Sequence, residues 1–169
     1  LLISVGEYLG STYRPDVDYV DGRIEERNVG ETDHAILQVK IVLLLGVRQQ
    51  EWGIRVLSEA RVQVADRRYR IPDVCLMPGS WVRTPIVLQE PMLCIEVLSP
   101  RDSIAGMRRR VQDYLAMGVP AAWIFDARTR SAYVCMGDTM FEQKDGVLQL
   151  EGSKVEVAVG EVFATLDEN

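Results

Sequence analysis

The order of hydrophobic patterns along these 169 residues predicts a mixed β-sheet flanked by helices, in the α/β or α+β class. Three observations predict it. Residues 92–98 are an apolar run of strand length, stopped by Pro100, and the next apolar positions, Ile104, Met107, Val111, Tyr114 and Leu115, keep helical three-and-four spacing. A second buried run, 121–125, follows Gly118, so strand, helix and strand make a βαβ unit with a parallel pair and a right-handed crossover. Upstream, alternating segments joined by turn residues read as antiparallel hairpins.

In chain order, residues 4–9 suit a short amphipathic helix and Tyr13-Arg14-Pro15-Asp16 a turn. Residues 17–20 and 23–27 flank Asp21-Gly22, a pair suited to the positive φ values of a tight hairpin. Glu31-Thr32-Asp33 opens a long helix to about residue 51, apolar on most sides and so expected to be largely covered. Gly53 ends it. Strands over 54–65 and 69–77 follow, with Asp66-Arg67-Arg68 at the bend. Asp102 or Ser103 caps the helix after Pro100, and Gly118 stops it. Short strands at 131–136, 140–143, 147–150 and 155–159 complete the chain, which has no internal repeat. With 47% hydrophobic residues, 1–169 is expected to form a single domain.

No apolar run reaches the roughly 18 to 20 residues of a membrane span, and no basic stretch precedes an apolar one at the start, which predicts no membrane association. Cys75, Cys94 and Cys135 lie in strand-like runs without a CxxC, which predicts buried free thiols in a reducing cytoplasm. A phosphate-cradling glycine loop, a Ser/His/Asp arrangement and a zinc site are not recognisable. The net charge of -6 is unevenly spread. Residues 61–110 hold nine arginines against five acids, +4, leaving -10 elsewhere, so a local basic surface for phosphates is compatible with an acidic protein.

Two acids stand out because their neighbours are apolar. Glu96 lies in the middle of 92–98, where an unpaired charge costs at least several kcal/mol. A basic side chain, protonation or a divalent cation must offset that cost. Asp73 repeats the pattern: Pro72, which suits a strand's first residue or an edge, precedes it, and a hydrophobic strand follows. Two acids on neighbouring strands make a hard-oxygen site suited to Mg²⁺ or Mn²⁺.

With these residues in place, the chain resembles the Uma-type family of restriction-endonuclease-like proteins within the PD-(D/E)XK nuclease superfamily. The anchors are Gly6-Glu7-Tyr8-Leu9, Asp21-Gly22 with Glu26, His34, Pro72-Asp73, Glu96-Val97-Leu98-Ser99-Pro100, and Tyr114 with Gly118-Val119 leading into Trp123-Ile124-Phe125-Asp126. The resemblance implies a restriction-endonuclease-like sheet and a Mg²⁺- or Mn²⁺-dependent endonuclease acting on DNA, with a homodimer as partner state. It implies Asp73, Glu96 and the Val97 carbonyl as metal ligands, Glu26 approaching from the hairpin, and His34 as a phosphate or metal-shell contact. Glu25 competes with Glu26, because adjacent strand residues face opposite sides. The superfamily lysine, normally two residues after the Glu, is Leu98 here; the family's shifted lysine position, four before Tyr114, is Arg110. Arg110 keeps the charge but cannot exchange a proton. The alternative is a catalytically impaired relative that binds nucleic acid or protein. Arg67, Arg68, Arg108 and Arg109 are the expected nucleic-acid contacts, while Arg110, beside the apolar stripe of its helix, is the one expected to reach inward.

Overall fold

The computed structural model describes residues 1–28 and 30–168. Helix α1 (Val5–Gly10) leads into the hairpin β1 (Val17–Val20) and β2 (Arg23–Glu26), then α2 (Thr32–Gly46) and α3 (Gln49–Trp52). Strands β3 (Ile54–Ser58), β4 (Val62–Ala65), β5 (Arg68–Arg70), β6 (Val74–Pro78) and β7 (Leu93–Val97) precede α4 (Ile104–Met117). Strands β8 (Ala122–Asp126), β9 (Ser131–Met136), β10 (Thr139–Gln143), β11 (Val147–Gln149) and β12 (Glu156–Ala158) and helix α5 (Val159–Ala164) complete the order.

The main sheet has the order β10-β9-β8-β7-β6-β3, antiparallel except for the β7–β8 pair that α4 connects. Strand β7 is buried along its whole length. Its Leu93, Ile95 and Val97 join the core formed with Leu37, Ile41 and Leu45 of α2 and with Val162 and Phe163 of α5. Cys94, by contrast, joins Met107, Val111 and Tyr114 of α4 on the other face. Period-2 alternation therefore turns Glu96 toward α4. All three cysteines are buried and free. No helix of the described residues is long and apolar enough to cross a membrane.

Local chemistry sets several boundaries. Ser103, rather than Asp102, caps α4 by accepting from the Gly106 N–H at 3.0 Å, and Gly118 ends that helix with φ 114°. Asp102 instead accepts from the Ser99 N–H at 2.8 Å. Asp21 and Gly22, with φ of 49° and 91°, make the tight β1–β2 turn.

Four expectations need correction. The long helix stops at Gly46 and resumes as the separate turn α3. Residues 54–65 and 69–77 are not two strands but four: β3 and β6 belong to the main sheet, while β4 and β5 join the hairpin in a second sheet, β2-β1-β5-β4. Apolar residues continue on both sides of each crossing, which hides the change of sheet. The last strand is short and gives way to α5, whose Val159, Val162 and Phe163 bury at helical spacing. Finally, α2 is covered on one side only. Leu37, Ile41 and Leu45 are fully buried, but Val39, Leu43 and Val47 on the opposite face are 58%, 56% and 78% exposed.

Candidate active site

Asp73 and Glu96 meet across the β6–β7 pair. Val74 is the register partner of Ile95, so continuing that register by one residue sets Asp73 opposite Glu96. Both are buried, at 3% and 2% exposure. Like charges directly opposite in a sheet are destabilising, so the surroundings must compensate.

They do so differently at the two acids. Asp73 Oδ2 accepts from the Val97 backbone N–H at 2.8 Å and lies 3.3 Å from His34 Nε2, and Oδ1 accepts from Arg27 at 3.2 Å. Its backbone carbonyl is held by Gln38 of α2 at 3.1 Å. Burial pushes its pKa up, but the His34 bond, the Val97 N–H and Arg27 outweigh it and leave the carboxyl below its ordinary range. His34 responds in kind: burial works to lower its pKa, and Asp73 more than reverses that, so the net direction is up. Glu96 is less well served. Tyr114 donates to Oε1 at 2.6 Å, and the Arg110 guanidinium stands at 3.6 Å. Burial dominates, Asp73 adds to it, and the pKa is pushed up to about 8 despite Arg110.

Arg110 does reach inward from α4. It donates to the Ile71 carbonyl at 3.2 Å and pairs with Asp18 at 3.3 Å, while its buried Nε has no partner among the described residues. Asp18, 1% exposed on β1, also accepts from the Ile71 N–H at 3.1 Å and from Arg70 at 3.2 Å. Arg70 in turn binds Asp113 of α4 at 2.8 Å and Glu25 at 2.6 Å. This chain of charges fastens the hairpin to α4 beneath the two acids. Sequence reasoning missed Asp18, Arg70 and Asp113, and Arg27 with them. The one available signal was the charge embedded in Val17-Asp18-Tyr19-Val20, the same signal that marked Glu96.

The hairpin register decides between Glu25 and Glu26. Glu25 is the Cα partner of Asp18 and faces the arginine network. Glu26 points the other way, into a cavity whose lining includes neither Asp73 nor Glu96. The expected placement of Glu26 beside the metal is therefore corrected, and among the described residues no three His, Cys, Asp or Glu side chains form a group able to cage an ion. Asp73 and His34 line a cleft of about 340 Å³ together with Arg14, Arg27, Asp16 and Glu59. Of the arginines expected to bind nucleic acid, Arg68 is engaged by Asp21 at 2.7 Å and Asp113 at 2.8 Å. Arg67, Arg108 and Arg109 are exposed, but Arg67 lies at the far end of β5, six residues or roughly 20 Å of extended chain from Asp73. The arginines that line the cleft are Arg14 and Arg27.

The donor chemistry suits a hard divalent cation. Asp73, one residue before β6, and Glu96 of β7 offer carboxylate oxygens from adjoining positions, and burial raises the pKa of Glu96. Arg27 and His34 at Asp73, and Arg110 at Glu96, are the positive groups with which such a cation would compete.

No curated protein matches the sequence. The fold matches a crystal structure of a "putative nuclease belonging to DUF820" from Anabaena variabilis, with a TM-score of 0.85, 20% identity, and coverage of 97% of this chain and 99% of that one. At that identity the likeness establishes the fold, a nuclease-type mixed sheet flanked by helices. The profile of the Uma2 family, described as "Putative restriction endonuclease", matches residues 7–163, nearly the whole length, and the chain belongs to that family.

Proposed function

We propose that this protein hydrolyses DNA phosphodiester bonds with Mg²⁺ or Mn²⁺ held between Asp73 and Glu96, the Val97 carbonyl serving as a further ligand. The observation that carries the reading is the pair of buried acids, Asp73 being held by the Val97 N–H next to Glu96, an arrangement that costs stability and that a cation relieves. A bound divalent cation supplies Lewis acidity toward a phosphoryl oxygen and an activated water. The chain's own residues prepare the site. Tyr114 fixes Glu96 Oε1, the Val97 N–H fixes Asp73 Oδ2, and Asp18 anchors Arg110 so that its guanidinium presents fixed positive charge. His34, 3.3 Å from Asp73 through Nε2, lines the cleft where a phosphate would lie. Arg67, Arg108 and Arg109 remain exposed basic groups available to the nucleic-acid backbone away from the cleft.

The test is nicking of supercoiled plasmid in Mn²⁺ and in chelator, with Asp73→Asn and Glu96→Gln. Cleavage that needs the metal and both acids supports the proposal. Cleavage unchanged in either variant rejects this site.

A second reading has a specific observation behind it. Arg110 is spent on Asp18 and the Ile71 carbonyl and cannot deliver a proton, which favours an impaired relative that binds nucleic acid without cutting it. Exchange of Arg110 for lysine separates the two. The bare stripe Val39, Leu43, Val47 on α2 supports the homodimer, a second copy covering it, and three buried free thiols support a reducing cytoplasm.

A further inference from the structure

The Asp73 cleft opens beside a larger cavity of about 590 Å³, and the two share Tyr13, Arg14 and Arg27. We propose that the larger cavity binds one unpaired nucleotide of a DNA strand, its base stacked on Tyr13 and its flanking phosphates held by Arg14 and Arg101. This rests on the nuclease reading and names its substrate class: single-stranded, gapped or mispaired DNA rather than intact duplex.

Size, rings and charge each point the same way. The volume falls in the range of small-molecule sites, whereas a duplex whose major groove alone is about 12 Å wide cannot enter it. Tyr13 is the last ring of a stack. Tyr19 and Tyr8 lie 5.0 Å apart at 24°, and Tyr8 and Tyr13 lie 5.9 Å apart at 28°. The first two are fully buried, while Tyr13 is half-buried and lines both cavities, so a base is the natural next member. Val17 and Ile24 supply apolar wall.

Charge separates the two cavities. With Arg27 drawn to Asp73 at 3.2 Å and Glu59 at 3.6 Å, Arg14 and Arg101 balance Glu26 and Glu31 in the larger cavity, whereas Asp16, Glu59 and Asp73 outnumber Arg14 and Arg27 in the Asp73 cleft. A strand's backbone is therefore better held over the larger cavity, with its next phosphate directed toward Asp73. Glu26 and the Asn28 Oδ1 give that cavity acceptors for a base edge, the side-chain types that recognise exocyclic amino groups, while Asn28 Nδ2 donates to Asp102 at 2.7 Å. This gives Glu26 a role at the base rather than at the metal. Extracting a base from a duplex costs a few kcal/mol and least where it is already unpaired, so the preference follows from the cavity.

The experiment is fluorescence anisotropy in chelator at low salt, with a labelled 12-nucleotide single strand, a blunt duplex of the same sequence, and that duplex carrying a one-nucleotide bulge. The single strand and the bulge are expected to bind at least tenfold tighter than the duplex. Tyr13→Leu should weaken single-strand binding by roughly 5- to 150-fold, the range for loss of one base–aromatic stack, and Tyr13→Phe should retain it. Arg101→Ala, at an exposed position, should lower the salt dependence by about one phosphate contact even if Tyr13→Leu fails to fold. Equal affinity for single strand and duplex, or a folded Tyr13→Leu protein with unchanged binding, overturns the inference. If duplex is bound and cut without that preference, only this inference falls; if no DNA binds at all, the nuclease reading falls with it.

Discussion

Replacing Glu96 by Gln removes a buried titratable group while keeping its shape and an oxygen for the Tyr114 hydroxyl, and it should make the protein more stable in chelator. The unfolded chain ionises this carboxyl near 4.5, while the folded protein holds its proton to about 8. Between those values the unfolded state binds fewer protons, so wild-type stability falls as pH rises. At pH 7.5 the gap is about 3 pKa units, or ~4 kcal/mol. Arg110 loses a partner at 3.6 Å but keeps Asp18 and the Ile71 carbonyl, so a net gain of about 2–3 kcal/mol is expected after that loss. At about 2–4 °C per kcal/mol for a chain of this size, Tm should rise by about 4–12 °C. Thermal melts by circular dichroism from pH 4.5 to 8.5 measure it. The difference between variant and wild type should be small at pH 4.5, grow to pH 8 and then level off, and added Mn²⁺ should stabilise wild type alone. A difference that stays flat with pH, or a Gln variant less stable at pH 8, would refute the reasoning and leave Glu96 as a compensated structural acid.

Arg110→Lys should raise Mn²⁺-dependent cleavage, read by plasmid nicking, by up to roughly 10² to 10⁴ if the missing element is a group able to exchange a proton. Arg110→Ala should lower any residual rate, and equal rates for all three would assign Arg110 to structure alone. Leu43→Glu, 56% exposed on the bare face of α2, should convert a dimer to a monomer in sedimentation without lowering Tm; an unchanged sedimentation coefficient places the interface elsewhere. Burial pushes the Cys75 thiol up to about 12, so its contribution is complete below pH 9 and is lost as pH rises toward 12. Cys75→Ala should therefore flatten the alkaline fall of stability, read by urea melts between pH 8 and 10.5, against a steep fall for wild type.

The parts of this fold that sequence showed are those where one residue decides the local geometry. Asp21-Gly22 makes its turn through positive φ, Ser103 and Gly118 bracket α4, and Glu96 stands out because a charge in an apolar strand has few explanations. The parts that stayed hidden depend on where a strand goes. Apolar residues continue across β3–β4 and β5–β6, so the crossing from one sheet to the other leaves little mark beyond Pro72-Asp73. Glu25 and Glu26 differ only by register, which the pairing of Asp18 with Glu25 settles. Arg68 counted as surface charge until its partners, Asp21 and Asp113, were placed around it. Of the nine arginines between 61 and 110, Arg68, Arg70 and Arg110 all face protein carboxylates, which weakens the inference from local charge to a phosphate-binding surface.

The chain of charges from Asp18 through Arg70 to Asp113 joins residues 52 and 43 positions apart, from three separate elements. Contacts of that span form only after long loops have closed, which places them late on a folding route and makes them dependent on everything formed before. The strand pair that borders Asp73 and carries Glu96 forms through nearer neighbours, yet the side chains that set their charge come from α2, from Arg27 after the hairpin and from α4. A nascent or partly opened chain thus presents Asp73 and Glu96 without the positive partners that surround them in the folded protein.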